Sequence, residues 1–282
     1  MWPFKIYSMY LRKSVAAPSG QIGPGAAKPK NPNVKIIFVD ELLSSPQRND
    51  AGIVMEGNYT FKPNGKMIEV YMTGKKQKLN YENEGDVDEE SIKQMFEGSH
   101  PGNSREIKEL IQNLIGKDVI ILSGDCTKNS FEVFGTECAP MRLKPTGVID
   151  DTRTGHDLSF EQTQATEFLP GTFEGAVVLA APFNATSEDL ALTKANGNQY
   201  KLATDTDGTE LDIASLDHDH GAVISLIGNG GNNPFVLSSG VTTAATVVLL
   251  EGADWAAQDD AVIDLKVFKS GNITYLFEQK RA

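Results

Sequence analysis

Only residues 103–116 of this chain carry the apolar spacing of an amphipathic helix; the rest of its apolar content comes in short runs broken by Gly, Pro, Asn and Asp. Runs of that kind bury a face as strands, so the spacing constrains the chain to be mainly β, with one helix laid on a sheet. In the helical stretch Asn103 reads as N-cap with Glu106 three residues on. Ile107, Leu110, Ile111, Leu114 and Ile115 form the buried stripe, and Gly116 ends it.

Before the helix, strands are expected over 34–39, 52–62 and 66–73. The last two meet at Pro63-Asn64-Gly65, which reads as a type I′ hairpin because Asn and Gly both tolerate positive φ. Residues 40–50 read as a polar loop, and 91–97 as a further segment ahead of the helix. After it, strands are expected over 119–122, 131–134, 141–144 and 158–168, a spacing that suits a β-sandwich or barrel with one packed helix over 34–170. From Gly171 onward the pattern reads as a second, all-β unit over 171–282, an immunoglobulin-like or related sandwich. Its strands are expected near 176–180, 199–203, 222–227, 246–250, 262–268 and 274–277, with turns at 228–234 and 270–272 and Trp255 as a core plug.

Residues 1–33 read as an extended arm, since 14–33 are rich in Gly, Pro and Ala and lack apolar periodicity. Trp2, Phe4, Ile6, Tyr7, Met9, Tyr10 and Leu11 would leave a sticky patch in water and must land on the body or on a neighbour. Lys5, Arg12, Lys13, Lys28 and Lys30 make the arm basic with no acid, whereas the whole chain has a net charge of −12. A basic arm on an acidic body suggests head-to-tail docking between copies. The acidic balance argues against a protein that grips nucleic acid, and no apolar run is long enough for a membrane span. The basic residues at the start follow the apolar ones, the reverse of a secretory signal, so export by that route is not expected. Cys126 and Cys138 flank an expected hairpin and read as free, semi-buried thiols, with pairing as the alternative.

Residues that could carry chemistry are few. Asp205, Asp207 and Glu210, with Gly208 among them, resemble the opening of a calcium loop, but the acid that would close a twelve-residue loop is replaced by Leu216; an acidic turn is the alternative. In Asp217-His218-Asp219-His220, extended alternation would send both histidines to one face, a two-ligand zinc or nickel site lacking a third partner; the alternative is a polar approach to the next strand. His100 and His156 read as lone loop histidines. No Ser elbow, Cys–His pair or phosphate-cradling loop is present, so neither an enzyme nor a cofactor is expected. Lys75, Lys76 and Lys78, followed by Glu82, Glu84 and Asp86 in a long charged loop, are candidate contacts between subunits. So are Trp2, Phe4, Tyr7, Tyr10, Arg12 and Lys13 of the arm.

Taken with the arm and the charged loop, the runs 97–112, 119–126, 134–140 and 168–175 resemble those of a major tail tube protein of a tailed bacteriophage. The resemblance implies a virion structural protein, assembled in the host cytoplasm. Identical subunits would stack as rings into a tube, contact other virion proteins and pass DNA without sequence-specific binding. Two other classes remain open: a capsid-decorating or head-fibre protein, and a carbohydrate-binding or adhesion module with an exposed aromatic platform. Phe183, Tyr200, Phe235, Trp255, Phe268, Tyr275 and Phe277 mostly sit where core residues are expected, which counts against the last.

Overall fold

The computed structural model describes residues 14–17, 25–26, 28–126, 130–250 and 252–282. Among these the fold is mainly β, with one α-helix, several sheets and a β-solenoid-like region. The first sheet runs in the order Gln47–Arg48, Val54–Glu56, Gly171–Phe173, Phe131–Phe134, Val119–Gly124, Met141–Ile149, Thr154–Gln162, Ser91–Pro101, Lys78–Glu84. Asn33–Phe38 also pairs with Val119–Gly124 and, on its other side, with Ile68–Tyr71. A single pair, Met141 with Val119, joins the two parts of this sheet.

Val119–Gly124 is buried at every position. Its run of apolar residues has two cores to serve. Val119 and Ile121 enter a cluster with Val34, Phe96, Leu158 and Phe160, while Ile120 and Leu122 enter another with Tyr59, Phe61, Val133 and Phe173. The helix, Arg105–Leu114, closes the first cluster with Ile107, Ile111 and Leu114.

The helix ends differ from the expected ones. Ser104, not Asn103, is the N-cap, and its hydroxyl accepts from the Ile107 N–H. Asn103 turns its Oδ1 to His156 Nε2, 3.2 Å away. Ile115 is the C-cap and is 51% exposed, so it lies outside the buried stripe; Gly116 follows at φ 79, the left-handed stop.

Asn64 has the expected positive φ, 69°, and the Gly65 N–H closes a turn on the Lys62 carbonyl, but the flanking strands do not form a hairpin. Thr60–Phe61 pairs with Leu42–Ser44, inside the expected polar loop, and Ile68–Tyr71 pairs with Asn33–Phe38. Gly65 does not share the positive φ, so the type I′ geometry is absent. The strand expected over 52–62 is broken at Gly57, whose φ of 96° takes the chain out of the ladder. A Cβ there would sit 2.7 Å from Asp264 Oδ2. Gly57→Ala is therefore expected to destabilise the fold by about 2 kcal/mol, read as a lower urea midpoint at unchanged m-value.

Residues 171–173 pair with Phe131–Phe134 and Val54–Glu56, and Val178 lies in the first unit's core. The chain thus leaves the first sheet later than Gly171. No strand forms over 176–180, where the Val178 carbonyl instead accepts from Met67 N. Beyond this, the pairings Phe183–Asn184 with Gln199–Lys201, Gln199–Lys201 with Val223–Ile227, and Asp189–Leu192 with Asp212–Leu216 are all parallel. Successive passes of the chain stack like coils, whereas the expected immunoglobulin-like pattern pairs antiparallel neighbours. Antiparallel pairing returns with Val262–Ser270 and Ile273–Arg281. Leu190, Tyr200, Ile213, Leu226, Leu237 and Trp255 fill the interior.

Candidate assembly surface

Strand Lys78–Glu84 ends the first sheet. One side pairs with Ser91–Pro101, and among the described residues no strand pairs with the other. Its seven residues contain no Pro and its register has no bulge. Lys78, Asn80, Tyr81, Glu82 and Asn83 are exposed, with Tyr81 55% accessible. An edge of this length offers a row of N–H and C=O groups to another strand. Glu82 and Glu84, expected in a long loop, are within this strand; Lys78 pairs with Glu97 at 2.8 Å and Glu84 with Lys93 at 3.5 Å across the hairpin. Only 85–90, including exposed Asp86 and Val87, form the connection.

Lys75 and Lys76 lie exposed on the 3₁₀ turn Gly74–Lys76 at the base of this strand. Lys30 and Asn31 lie beside it. The Cys126 and Asn31 N–H groups bond the Pro29 and Gly124 carbonyls, so pairing with the Val119–Gly124 segment reaches back to Pro29. Buried Gln77 ties the corner together: its amide donates to the Asn31 and Met72 carbonyls and accepts from Ser123 Oγ. Trp2, Phe4, Tyr7, Tyr10, Arg12 and Lys13 lie outside the described residues.

A second set of residues, missed in the sequence, joins the two units. Asn58 is fully buried. Its Nδ2 donates to the Val223 carbonyl (3.2 Å) and Ser225 Oγ (3.1 Å), its Oδ1 accepts from Ala176 N (2.9 Å), and its backbone N–H donates to Asp264 Oδ2 (2.9 Å). Ser225 Oγ donates to the other Asp264 oxygen at 2.6 Å. Gln199 accepts from Phe61 N and donates to the Tyr59 carbonyl, and Lys280 donates to the Ser45 carbonyl. Burial pushes the Asp264 carboxyl up, against the pull of Ser225 and Asn58, and pushes the Lys280 ammonium down. A lone acid inside Val262-Ile263-Asp264-Leu265 was the available sign of such a partner.

The metal candidates are dispersed. Asp205 spends its carboxylate on the N–H groups of Thr209 (2.7 Å) and Asp207 (3.3 Å), which hold its pKa below the usual carboxylate range. Glu210 is fixed by a backbone bridge to Val236. The histidine alternation fails because 217–221 turn, with the Ala222 N–H on the Asp219 carbonyl. His218 faces inward, its Nε2 3.5 Å from the Tyr200 hydroxyl, while exposed His220 accepts from Lys269 N. Among the described residues no three His, Cys, Asp or Glu side chains gather as a ligand set. Cys126 and Cys138 are free, and both are exposed rather than semi-buried.

Burial lowers the His218 pKa and, with Tyr200 pushed up to about 12, keeps this pair neutral. The unfolded chain, titrating near 6.5, then takes up protons that the fold resists, so stability is present above that value and lost as pH falls through the lowered one. Between about pH 7 and pH 5, the melting temperature of the natural chain is expected to drop by more than that of His218→Gln. Equal drops would remove His218 as the cause.

A cleft of about 660 Å³ lies between the units, with Arg48, Tyr59, Glu137, Cys138 and Lys280 on its walls. Arg48 is held over the Phe168 ring and donates to the Gly52 and Leu169 carbonyls. On the same walls Lys280 donates to the Ser45 carbonyl and the Ser45 hydroxyl donates to Glu137, so these side chains join separate segments. No family model, curated protein or solved structure matches the chain.

Proposed function

We propose that this chain is a non-enzymatic structural protein that assembles with copies of itself, as a tail tube protein of a tailed bacteriophage does. The first unit, as a β-sandwich or barrel, forms the wall, and the unit after it faces outward. The observation that carries this reading is the open edge Lys78–Glu84 rising from the corner that holds Pro29–Asn31, the residues that follow the basic, aromatic-rich stretch in the sequence. An edge strand and an arm in one place allow one copy to add a strand to the sheet of the next while its arm crosses onto the following acidic body. An acidic wall, from the net charge of −12, would let DNA pass without sticking.

Electron microscopy of the purified chain over a concentration series tests this. Open tubes or stacked rings are expected. A chain that sediments as a monomer at every concentration, with no ordered particles, would rule the proposal out.

A further inference from the structure

One face of the sheet that contains Val262–Ser270 and Ile273–Arg281 is divided in two. At one end Gln199, Ser225, Asp264 and Lys280 meet the first unit. Further along, the same face carries Lys266 opposite Phe277 and Phe268 opposite Tyr275, and there the covering stops. Phe268 is 43% exposed, and Tyr275 and Phe277 are half-buried. These rings form one cluster. Phe268 lies 6.4 Å from Tyr275 and 5.9 Å from Phe277, the Tyr275 and Phe277 rings are 22° from parallel, and His220 packs on Phe268 at 4.9 Å. Far from all sitting in the core, the aromatic residues of this unit divide: Tyr200, Phe235 and Trp255 are buried, and Phe268, Tyr275 and Phe277 reach the surface.

A groove of about 400 Å³ adjoins the cluster at His220, between 174–177 and 219–223. Its rim is polar, with Glu174, Asn198 and Asp219. His220 Nδ1 accepts from Lys269 N, so in the neutral ring Nε2 carries the proton and is the donor left over. The acids Glu174, Asp217 and Asp219 and the bases Lys194, Lys266 and Lys269 balance in sign, and Asp219 is paired with Lys194 at 2.8 Å.

We infer that this shelf and groove bind a neutral saccharide. The C–H face of a pyranose ring packs on electron-rich aromatic faces, and its hydroxyls need both acceptors and donors, here the carboxylates of Glu174 and Asp219 and the His220 N–H. The balanced charge gives no net attraction to a polyanion, an anionic membrane or an acidic second copy. The proposal does not depend on tube assembly, since none of its residues belongs to the open edge Lys78–Glu84.

Native gels of the full chain, cast with dextran, a mixed-linkage β-glucan or a galactomannan, and with polygalacturonate as the acidic control, test it. Retardation by at least one neutral polymer is expected, weakened about tenfold by Phe268→Ala and by Tyr275→Ala, with melting temperature unchanged and with Phe268→Trp retaining binding. His220→Ala serves where an aromatic variant fails to fold. The proposal is overturned by retardation in no neutral gel, by retardation only in the acidic gel, or by full binding in the variants. It is equally overturned if the substitutions alter sedimentation of the chain while leaving retardation intact, since the patch is then an interface between copies.

Discussion

Asn58→Ala is expected to cost about 2–3 kcal/mol, more than any exposed substitution in the chain, although it removes only a small polar side chain. The Asn58 side chain holds three partners, the Val223 carbonyl and Ser225 hydroxyl of strand Val223–Ile227 and the Ala176 N–H, from two separate segments. Alanine leaves the Ala176 N–H without its partner beside a fully buried position, an unmade bond that costs about 1–3 kcal/mol, whereas the Val223 carbonyl keeps the Asn198 amide at 3.0 Å. Ser225 keeps its bond to Asp264, which limits the loss. Because the partners lie on both units, the loss also weakens their coupling. Urea unfolding followed by circular dichroism should show an earlier midpoint, and a transition that was single should broaden or split. Asn83→Ala, on the exposed edge strand, is the control and should change stability by less than about 0.5 kcal/mol. A shift for Asn58→Ala as small as that control's would mean that water replaces the lost bonds and that the units are held together by other contacts.

That seam marks where the sequence could be read and where it could not. The helix was legible because Ile107, Ile111 and Leu114 repeat on one face and Gly116 must take a positive φ, both local properties of the chain. Its cap was displaced by one residue because Asn103 and Ser104 are both good caps, and only the approach of His156 decides between them. The run Val119–Leu122 was legible as a buried strand, and its continuous burial follows from cores on both faces. Asn64-Gly65 gave a turn but not a hairpin, since the partners of the flanking strands, Asn33–Phe38 and Leu42–Ser44, are set by distant packing. The parallel stacking after Phe183 left no trace in strand length or alternation, which are the same for parallel and antiparallel neighbours in short strands. Tyr275 and Phe277 were assigned to the core because alternation gives two faces without saying which is covered; inward Leu276 and Glu278 take that role. The edge hairpin was seen as a charge pattern only, and its meaning changed once Lys78–Glu84 proved to end a sheet.

Removing residues 1–27 is expected to abolish ordered assembly while leaving the fold intact. The ladder that begins at Pro29 survives such a truncation, so the corner around Gln77 and the edge Lys78–Glu84 remain as they are. What is lost is the arm, with the four aromatic anchors Trp2, Phe4, Tyr7 and Tyr10 and the basic pair Arg12 and Lys13. Each large apolar side chain buried on a neighbour contributes about 1.5–3 kcal/mol, and ordering the arm offsets roughly half of the sum. The remainder, about 3–6 kcal/mol per contact, corresponds to a rise of roughly a hundred- to ten-thousand-fold in the concentration at which assemblies form. Salt should act in the same direction on the full chain, because Arg12 and Lys13 would meet an acidic body through a screened attraction. Electron microscopy and sedimentation across a concentration series report assembly, and thermal melting reports the fold. Tubes from the truncated chain at the concentration that suffices for the full one would show that the open edge strand drives assembly without the arm. A collapse in melting temperature would show instead that the arm packs on its own body.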